Sequence, residues 1–398
     1  MNDAKRQLRF INIAHFIDHY VLLIFPTVVI GLQLELARSY AELIALSTAC
    51  FVAFGLFSLP WGWLADYWSR RKIMAIFFFG CAVAMAGIAF APNVFWIGAG
   101  LLLLGVFAAI YHPVGVPMVL SNATDRGRDI ATNGVFGNLG VAFAPGITAG
   151  LIVLFGWRSA FLIPAVVCAL LGVAYLYMTS ESREKIAERA RVAEVPLTWT
   201  LAAAMFGFFA LIAFAGGIVF NTITIAIPQI VKEGFAEAIP LTVIGSIATG
   251  VLLFGGVTQL IVGRLVSRYA PHILFAVIGA MQATGVIWAY FASGPALLGA
   301  LTLSIIAIYG QVTLSDIVIS RYTADAWRGR IYAVRFFLAF ITSGIAVAMI
   351  AALHGQGGFT LVLLTTAIFA ALFAVSTFAV AVIATRVEAR AHAAQPAE

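Results

Sequence analysis

The sequence predicts an all-α membrane protein with twelve transmembrane helices arranged in two pseudo-symmetric six-helix bundles. Three observations lead to this fold class. Of the 398 residues, 63% are hydrophobic and only 10% are charged, whereas soluble domains carry about 25% charged residues. Apolar runs long enough to cross about 30 Å of hydrocarbon recur from end to end. The alternating segments typical of a membrane β-barrel are absent.

The apolar runs define the spans, and a polar interval divides them into two sets of six. The spans of the first half are predicted at 10–34, 42–64, 73–91, 94–121, 130–155 and 157–179. Those of the second half are predicted at 198–231, 240–264, 271–292, 295–320, 331–354 and 359–385. The interval mixes charges of both signs at helical spacing, which is typical of a solvated linker. The predicted domains are therefore a bundle at 1–179, a cytoplasmic linker at 180–197 and a bundle at 198–398.

The distribution of basic residues predicts the orientation. The chain has 23 Lys and Arg; with a cytoplasmic N-terminus, all but Arg38, Arg158 and Lys232 (23 − 3 = 20) fall on the cytoplasmic side. The positive-inside rule then places both termini in the cytoplasm. The net charge of +6 is thus a sign of topology, and no nucleic-acid partner is expected. The short start MNDAKRQLR leads into a segment too long for a signal-peptide core, so we expect a multi-pass protein of a bacterial inner membrane.

The two halves match weakly at an offset near 200 residues, which indicates an internal duplication. Pro26 aligns with Pro228, and this alignment places His19 opposite Asn221. The further matches are Gly55 with Gly256, Gly62 with Gly263 and, after a four-residue gap in the second half, Tyr111 with Tyr309.

Two motifs resemble those of the major facilitator superfamily. The loop GWLADYWSRRK after the second span resembles the signature loop of that superfamily, although Tyr67 and Ser69 depart from it. The fifth span, GNLGVAFAPGITAG, resembles its Gly/Pro-rich antiporter motif. The residues that carry the two resemblances are Gly62, Asp66, Arg70, Arg71 and Lys72 in the loop, and Gly140, Pro145, Gly146 and Gly150 in the fifth span.

The resemblance covers the whole chain and implies a monomeric secondary transporter that works by alternating access, without a cofactor. The His–Asp cluster of the first span and YHPVG in the fourth also resemble fosmidomycin-resistance-type exporters, and the helix-five motif suggests export. Leu101 lies near the position of an arginine that is common among drug–proton antiporters. The usual route for coupling protons is therefore not the one expected here.

The signature loop is expected to act as a cytoplasmic latch between the bundles. The carboxylate of Asp66 can face the positive N-terminal end of a neighbouring helix, an interaction of about 0.3–1 kcal/mol. The resemblance implies that this helix is the eleventh span, where Arg335 could reinforce the contact, and that the latch closes in the outward-facing state. Alternatively, Arg70, Arg71 and Lys72 only set the topology.

The first span opens with HFIDHYVLLIFP, which places ionisable groups at membrane depth. His15, Asp18 and His19 are spaced i, i+3 and i+4, so they project from one face. Counted from Arg9, His15 and His19 lie roughly 9 and 15 Å into the span. A charge at the centre of a bilayer costs roughly 2.5–3.5 kcal/mol even on insertion scales. The cluster is therefore predicted to face a wet cavity.

Other deep polar residues fall on the fourth, seventh and tenth spans, which line the central cavity in the superfamily. We expect Asp18 to couple protons together with His15, His19 and His112, in an Asp18–His19 or Asp18–His112 couple. Asp316 is the second choice, unless it forms a structural pair with Arg321 or Arg335. The remaining candidates for the cavity are Asn221, Thr222, Gln229 and Gln311, with the aromatic residues Tyr20, Tyr111 and Tyr309.

Two alternatives remain open. A divalent-metal transporter could draw its ligands from a set of histidines and aspartates, since imidazole and carboxylate suit such ions. The candidate ligands are His15, Asp18 and His112, together with His19 and Asp316. An intramembrane enzyme or receptor is not favoured, because the sequence contains neither HExxH nor GxSxG, and we expect no catalytic residues. For a small-molecule substrate, the aromatic residues and the absence of Lys or Arg at mid-depth favour an amphiphilic or cationic compound.

Overall fold

The computed structural model describes residues 3–181, 199–322 and 325–393, and most of the predicted linker lies outside them. For residues 126, 199–205, 320, 322, 325–336, 340 and 390–393 only the backbone is described. The helices of the first half are α1 Asp3–Leu22, α2 Ile24–Glu35, α3 Tyr40–Ile44, α4 Ser47–Tyr67, α5 Arg70–Ala89, α6 Val94–Ala108, α7 Tyr111–Asn122, α8 Arg126–Phe155 and α9 Ser159–Met178. Those of the second half are α10 Trp199–Gly234, α11 Leu241–Leu265, α12 Pro271–Phe291, α13 Gly294–Tyr322 and α14 Asp325–Ala393.

These helices form the twelve predicted spans. Three spans are each made of two helices: α1 with α2, α3 with α4, and α6 with α7. In the described chain, eleven helical runs are long and apolar enough to cross a membrane. The last of these is two spans in one, because α14 loses helical geometry at Gly357 and Gly358. The boundary predicted between 354 and 359 coincides with this kink.

Each bundle is held together by long helix–helix contacts, and several pairs of helices join the bundles. In the first bundle α1 packs on α8, and α5 packs on α6 and α9. In the second, α10 and α12 pack on α14, and α12 also packs on α13. Between the bundles, α8 packs on α11 and α4 packs on α14, with smaller contacts of α3 on α14 and α2 on α10. The two six-helix bundles of the predicted fold class are therefore present, while the exact domain boundaries stay predictions.

The helix-five motif allows close contacts of the helices around α8. A side chain at Gly140 would overlap the backbone of Phe16 in α1. The amide of Gly146 donates a hydrogen bond of 3.1 Å to Thr249 Oγ1 in α11, and a side chain at Gly245 would overlap the carbonyl of Pro145. A side chain at Gly150 would meet open space. Small residues thus let α8 pack closely on α1 of its own bundle and on α11 of the other, as is usual where membrane helices pack closely.

Candidate functional site: a histidine-lined cavity between the bundles

A cavity of about 360 Å³ lies between the bundles. The three histidines predicted to line it, His15, His19 and His112, form part of its wall. No Asp, Glu, Lys or Arg lines it among the described residues. The other side chains with polar groups or aromatic rings in the wall are Phe51, Phe54, Asn138, Phe220, Asn221, Thr224, Gln259, Tyr309, Gln311, Ser315 and Ser343.

The three histidines form a compact cluster. One ring nitrogen of each lies within 4.8 Å of those of the other two. The ring centroids of His15 and His19 are 5.0 Å apart, and His112 is 5.5 Å from each. Two positive charges at such a distance repel by about 3 kcal/mol at an effective dielectric constant near 20. The cluster therefore holds one proton more readily than two.

His15 is oriented by its neighbours on α7 and α8. Its Nδ1 lies 2.8 Å from the backbone carbonyl oxygen of Asn133; because a carbonyl only accepts, Nδ1 carries the hydrogen and Nε2 is left for other partners. The ring stacks on Tyr111 with centroids 4.5 Å apart. Asn133 also hydrogen-bonds the Tyr111 hydroxyl and Asn12 Oδ1 through its side chain. Asn133 was not among the predicted site residues; its only signal is an amide within a mostly apolar span.

Asp18 lies behind this cluster rather than in the cavity wall. Its carboxylate is fully buried, with Oδ2 3.4 Å from His112 Nε2, and it is not a lining residue. Neither carboxylate oxygen receives a hydrogen bond of good geometry within the described part of the chain. A buried carboxylate without full pairing is costly when it is charged. Asp18 and His112 thus form a couple that a single proton can rearrange.

The wall of the second bundle offers neutral hydrogen-bonding groups. Asn221 donates to the carbonyl of Gly217 at 2.8 Å, which leaves its own oxygen available. Gln311 donates to the carbonyl of Gly216 at 3.2 Å, and its buried oxygen has no hydrogen-bond partner among the described residues. Tyr309 packs on Phe220, with ring centroids 5.6 Å apart.

Several predicted cavity residues do not line the cavity. Tyr20 is buried and stacks on Phe16, with centroids 6.0 Å apart. Thr222 is fully buried within the second bundle, and Asp316 is half-buried. Tyr111 lies behind His15, which it supports. The buried residues among them pack against other helices, since one face of a span meets the cavity while its other faces pack.

The predicted latch loop joins helices of the first bundle. Gly62 lets α4 approach Pro113 of α7, whose Cβ would be 3.2 Å from a Cβ at that glycine. Arg71 donates to Thr179 Oγ1 at 3.1 Å and to the carbonyl of Leu176 at 2.5 Å, which ties α5 to α9.

The acidic residue of the loop remains largely in contact with solvent. The side chain of Asp66 is 70% exposed and its Oδ1 lies 3.9 Å from Arg70, while Lys72 Nζ lies 6.0 Å from the ring centre of Trp68. The side chain of Arg335 lies outside the described residues. The latch between Asp66 and the eleventh span therefore stays a prediction.

Comparison with known proteins identifies the family. Residues 10–236 match the model of the Major Facilitator Superfamily. A 139-residue stretch is 32% identical to the multi-drug resistance efflux pump PmrA homolog of Lactococcus lactis and covers 34% of each chain. A 156-residue stretch is 29% identical to the probable L-galactonate transporter of Escherichia coli and covers 38% of this chain and 34% of that protein. In both cases the match spans about a third of the relative's length.

Solved structures match almost the whole chain at low sequence identity, so they support the fold alone. A bacterial homolog of the human lysosomal transporter Spinster, inward-facing and occupied, aligns with a TM-score of 0.73 at 12% identity and covers 98% of this chain and 96% of that one. The D-xylose–proton symporter aligns with a TM-score of 0.73 at 12% identity, covering 94% and 97%. Because the family model matches more than half of the chain, this multi-pass membrane protein belongs to the Major Facilitator Superfamily, whose members are transporters of small molecules rather than enzymes.

Proposed function

We propose that the protein exports a drug-like or metabolite compound by alternating access, in exchange for protons. The observation that carries this proposal is the cluster of His15, His19 and His112 in the wall of a cavity between the bundles, with Asp18 buried behind His112. Titratable groups at membrane depth are typical of proton relays. The helix-five motif and the similarity to an efflux pump support export.

The Asp18–His112 couple is the proposed proton carrier. A proton on the couple leaves a protonated carboxyl next to a neutral imidazole, or a carboxylate next to an imidazolium. In either form the net charge differs by one from that of the deprotonated couple. This difference changes the cost of closing the cavity around the couple, so a proton gradient biases the two conformations. Nε2 of His15 provides a second acceptor, because its Nδ1 hydrogen is engaged by Asn133.

The cavity wall favours an amphiphilic or cationic substrate. Its aromatic rings provide apolar contacts, and amides such as Asn221 and Gln311 provide hydrogen bonds. Without a fixed cation in the described wall, a strongly anionic compound would depend on protonated histidines. We assign both termini to the cytoplasm and the protein to a bacterial inner membrane as a monomer. Asp66 and Arg335 are assigned to the cytoplasmic latch, and Asp316 is the second candidate for proton coupling.

Proton movement in proteoliposomes tests this function. A panel of compounds is added to vesicles that contain the purified protein and a pH-sensitive dye. We expect one or more compounds to drive proton movement in the wild type, and neither Asp18→Asn nor His112→Ala to do so. His272→Ala is the matched control, because His272 is a buried histidine of the second bundle that does not line the cavity. Normal gradient-driven transport by both variants would refute the assignment.

A divalent metal ion is the second candidate for the transported solute. The ring nitrogens of His15, His19 and His112 lie close enough together to converge on one ion after a small closure, and imidazole suits zinc, copper or nickel. Asp18 and Asp316, which the sequence also offered as ligands, are not part of this set. Stabilisation of the purified protein by one of these metals, lost in His15→Ala and His112→Ala, would favour this candidate. No response to any of the metals would eliminate it.

A further inference from the structure

A second cluster of side chains joins the bundles at the end where α2 and α3 meet α10 and α14. The ring of Tyr40, from α3, contacts His354 and Phe359, both from α14. Its ring centroid lies 4.8 Å from that of His354 and 5.8 Å from that of Phe359, and the latter two are 4.8 Å apart. Tyr40 and Phe359 are buried. One ring of the first bundle thus closes against two rings of the second.

The backbone of α14 brings these two rings to the same point. His354 and Phe359 flank the kink at Gly357 and Gly358, where φ is +59° at Gly358. This left-handed conformation favours glycine. The kink turns the chain so that the end of the eleventh span and the start of the twelfth both face Tyr40.

A chain of hydrogen bonds fixes the position of His354 and continues to the first bundle. His354 Nε2 donates to Glu233 Oε1 of α10 at 2.9 Å. Gln229, also in α10, donates to the same oxygen at 2.8 Å, and Gln33 of α2 donates to Gln229 at 3.4 Å. The polar layer and the aromatic contact therefore lie side by side and both cross the interface between the bundles.

This layer lies beyond the cavity along the helices that line it. On α10, Glu233 is roughly 18 Å along the axis from Asn221 at 1.5 Å per residue. Gln33 is displaced from His19 in the same direction along the first span, by roughly 20 Å. Separation of the bundles at this end would part Tyr40 from the two rings of α14.

We infer that Tyr40, His354 and Phe359 form a gate at this end of the transporter, and that protonation of His354 strengthens its closure. This inference rests on the alternating-access function proposed above. The three residues are called the aromatic gate. With the assigned orientation it faces the outside of the cell. Glu233 is the positioning residue that holds the imidazole against Tyr40.

The charges around His354 indicate the direction of the proton effect. A neutral imidazole gives Glu233 an ordinary hydrogen bond, whereas an imidazolium gives a charge-assisted one that is roughly twice as strong. An imidazolium also attracts the electron-rich ring of Tyr40 across the interface. Lys232 competes for Glu233 on the same helix. On the side of α3, Arg38 and Glu42 pair with each other at 3.6 Å, and α2 contributes the neutral Gln33.

Access of a thiol reagent to the cavity tests the gate without measuring transport. Ser315, which lines the cavity, is replaced by cysteine in a chain whose three native cysteines have been changed to alanine. A membrane-impermeant maleimide is applied to vesicles of either orientation, and the labelling rate from the gate side is divided by the rate from the opposite side. This ratio cancels the effect of pH on the thiol itself.

Removal of the gate is expected to raise this ratio. Tyr40→Ala should raise the labelling ratio about tenfold, because the aromatic contacts that it removes stabilise the closed gate by about that factor. Glu233→Gln should raise the ratio less. An unchanged labelling rate from the opposite side would show that the variants are folded. An unchanged ratio in both Tyr40→Ala and Phe359→Ala would overturn the gate.

The proton effect is tested with the same ratio. With the wild-type gate, the ratio should fall several-fold when the pH is lowered from about 8 to about 5.5. His354→Gln should reduce this fall, whereas His272→Gln, which changes a histidine remote from the gate, should retain it in full. A fall of undiminished size in His354→Gln would overturn the role of the proton. If the wild-type protein shows no proton-coupled export but its labelling ratio responds to Tyr40→Ala and to His354→Gln as expected, the transport proposal is refuted and the gate is not.

Discussion

The two walls of the cavity occupy equivalent positions in the duplicated fold but carry different chemistry. The first bundle contributes three imidazoles, with a carboxylate behind them. The second contributes amides, hydroxyls and aromatic rings, with no acidic or basic side chain among the described lining residues. The alignment of the halves places His19 opposite Asn221 and Tyr111 opposite Tyr309. Among the described lining residues, the titratable cluster of the cavity therefore lies on the first wall alone.

This difference suggests a division of labour within the proposed mechanism. A proton needs groups that change charge, and the first bundle holds them in a buried couple. A substrate needs fixed hydrogen-bond donors and acceptors, and the second bundle supplies them without a change of charge. Substitutions on the two walls should then differ in their pH dependence and in the step of transport that they affect.

The largest expected effect comes from breaking the couple on the first wall. His112→Leu removes the polar contact of the buried Asp18 carboxylate, and breaking a buried pair costs about 3–5 kcal/mol. The loss should be greatest at neutral pH and should shrink as the pH falls, because a protonated carboxyl carries no charge to stabilise. Unfolding of the detergent-solubilised protein at several pH values measures this loss.

Two further variants sharpen this result. Asp18→Asn combined with His112→Leu should recover most of the stability, since no carboxylate is then left without a partner. Asn221→Leu is the counterpart on the second wall and should cost about 1 kcal/mol for one hydrogen bond, at every pH. A pH-independent loss in His112→Leu would mean that Asp18 is uncharged in the folded protein throughout the range.

The next effect concerns the affinity for substrate. Gln311→Ala removes a cavity amide whose oxygen has no hydrogen-bond partner among the described residues. We expect it to weaken binding of a transported compound about fivefold, which corresponds to one hydrogen bond of about 1 kcal/mol, with the number of protons per substrate unchanged. Thr222→Ala, at a buried position outside the wall, is the matched control. A change in proton stoichiometry in Gln311→Ala would contradict the division between the walls.

The fold was readable from the sequence because each span carries its own signal. Length and apolar content gave all twelve spans, since every span must satisfy its backbone within the bilayer. The predicted boundary between the last two spans, at 354–359, also coincides with the kink of α14. The breaks after Leu22 and Ile44 were not predicted, because the apolar pattern continues through them.

The site was readable only where depth and helical spacing settle the direction of a side chain. His15, His19 and His112 were expected to face one cavity, and the structure brings them together. Tyr20 and Thr222 lie at similar depths but on other faces of their helices, and the rotation of a span about its axis depends on packing between helices. Asn133 acts on His15 through a backbone carbonyl, and a backbone group has no residue-specific signal in the sequence.

The smallest expected effect compares the two tyrosines related by the duplication. The hydroxyl of Tyr111 is hydrogen-bonded to Asn133 Oδ1 at 3.0 Å, whereas that of Tyr309 is buried without a hydrogen-bond partner in the described structure. Tyr111→Phe should therefore destabilise the protein by about 1 kcal/mol, while Tyr309→Phe should be neutral or slightly stabilising, because it removes an unsatisfied polar group. Parallel unfolding curves of the two variants measure this difference. If Tyr309→Phe destabilises the protein as much as Tyr111→Phe does, the hydroxyl of Tyr309 has a hydrogen-bond partner, and the next step is to identify that partner in the cavity wall.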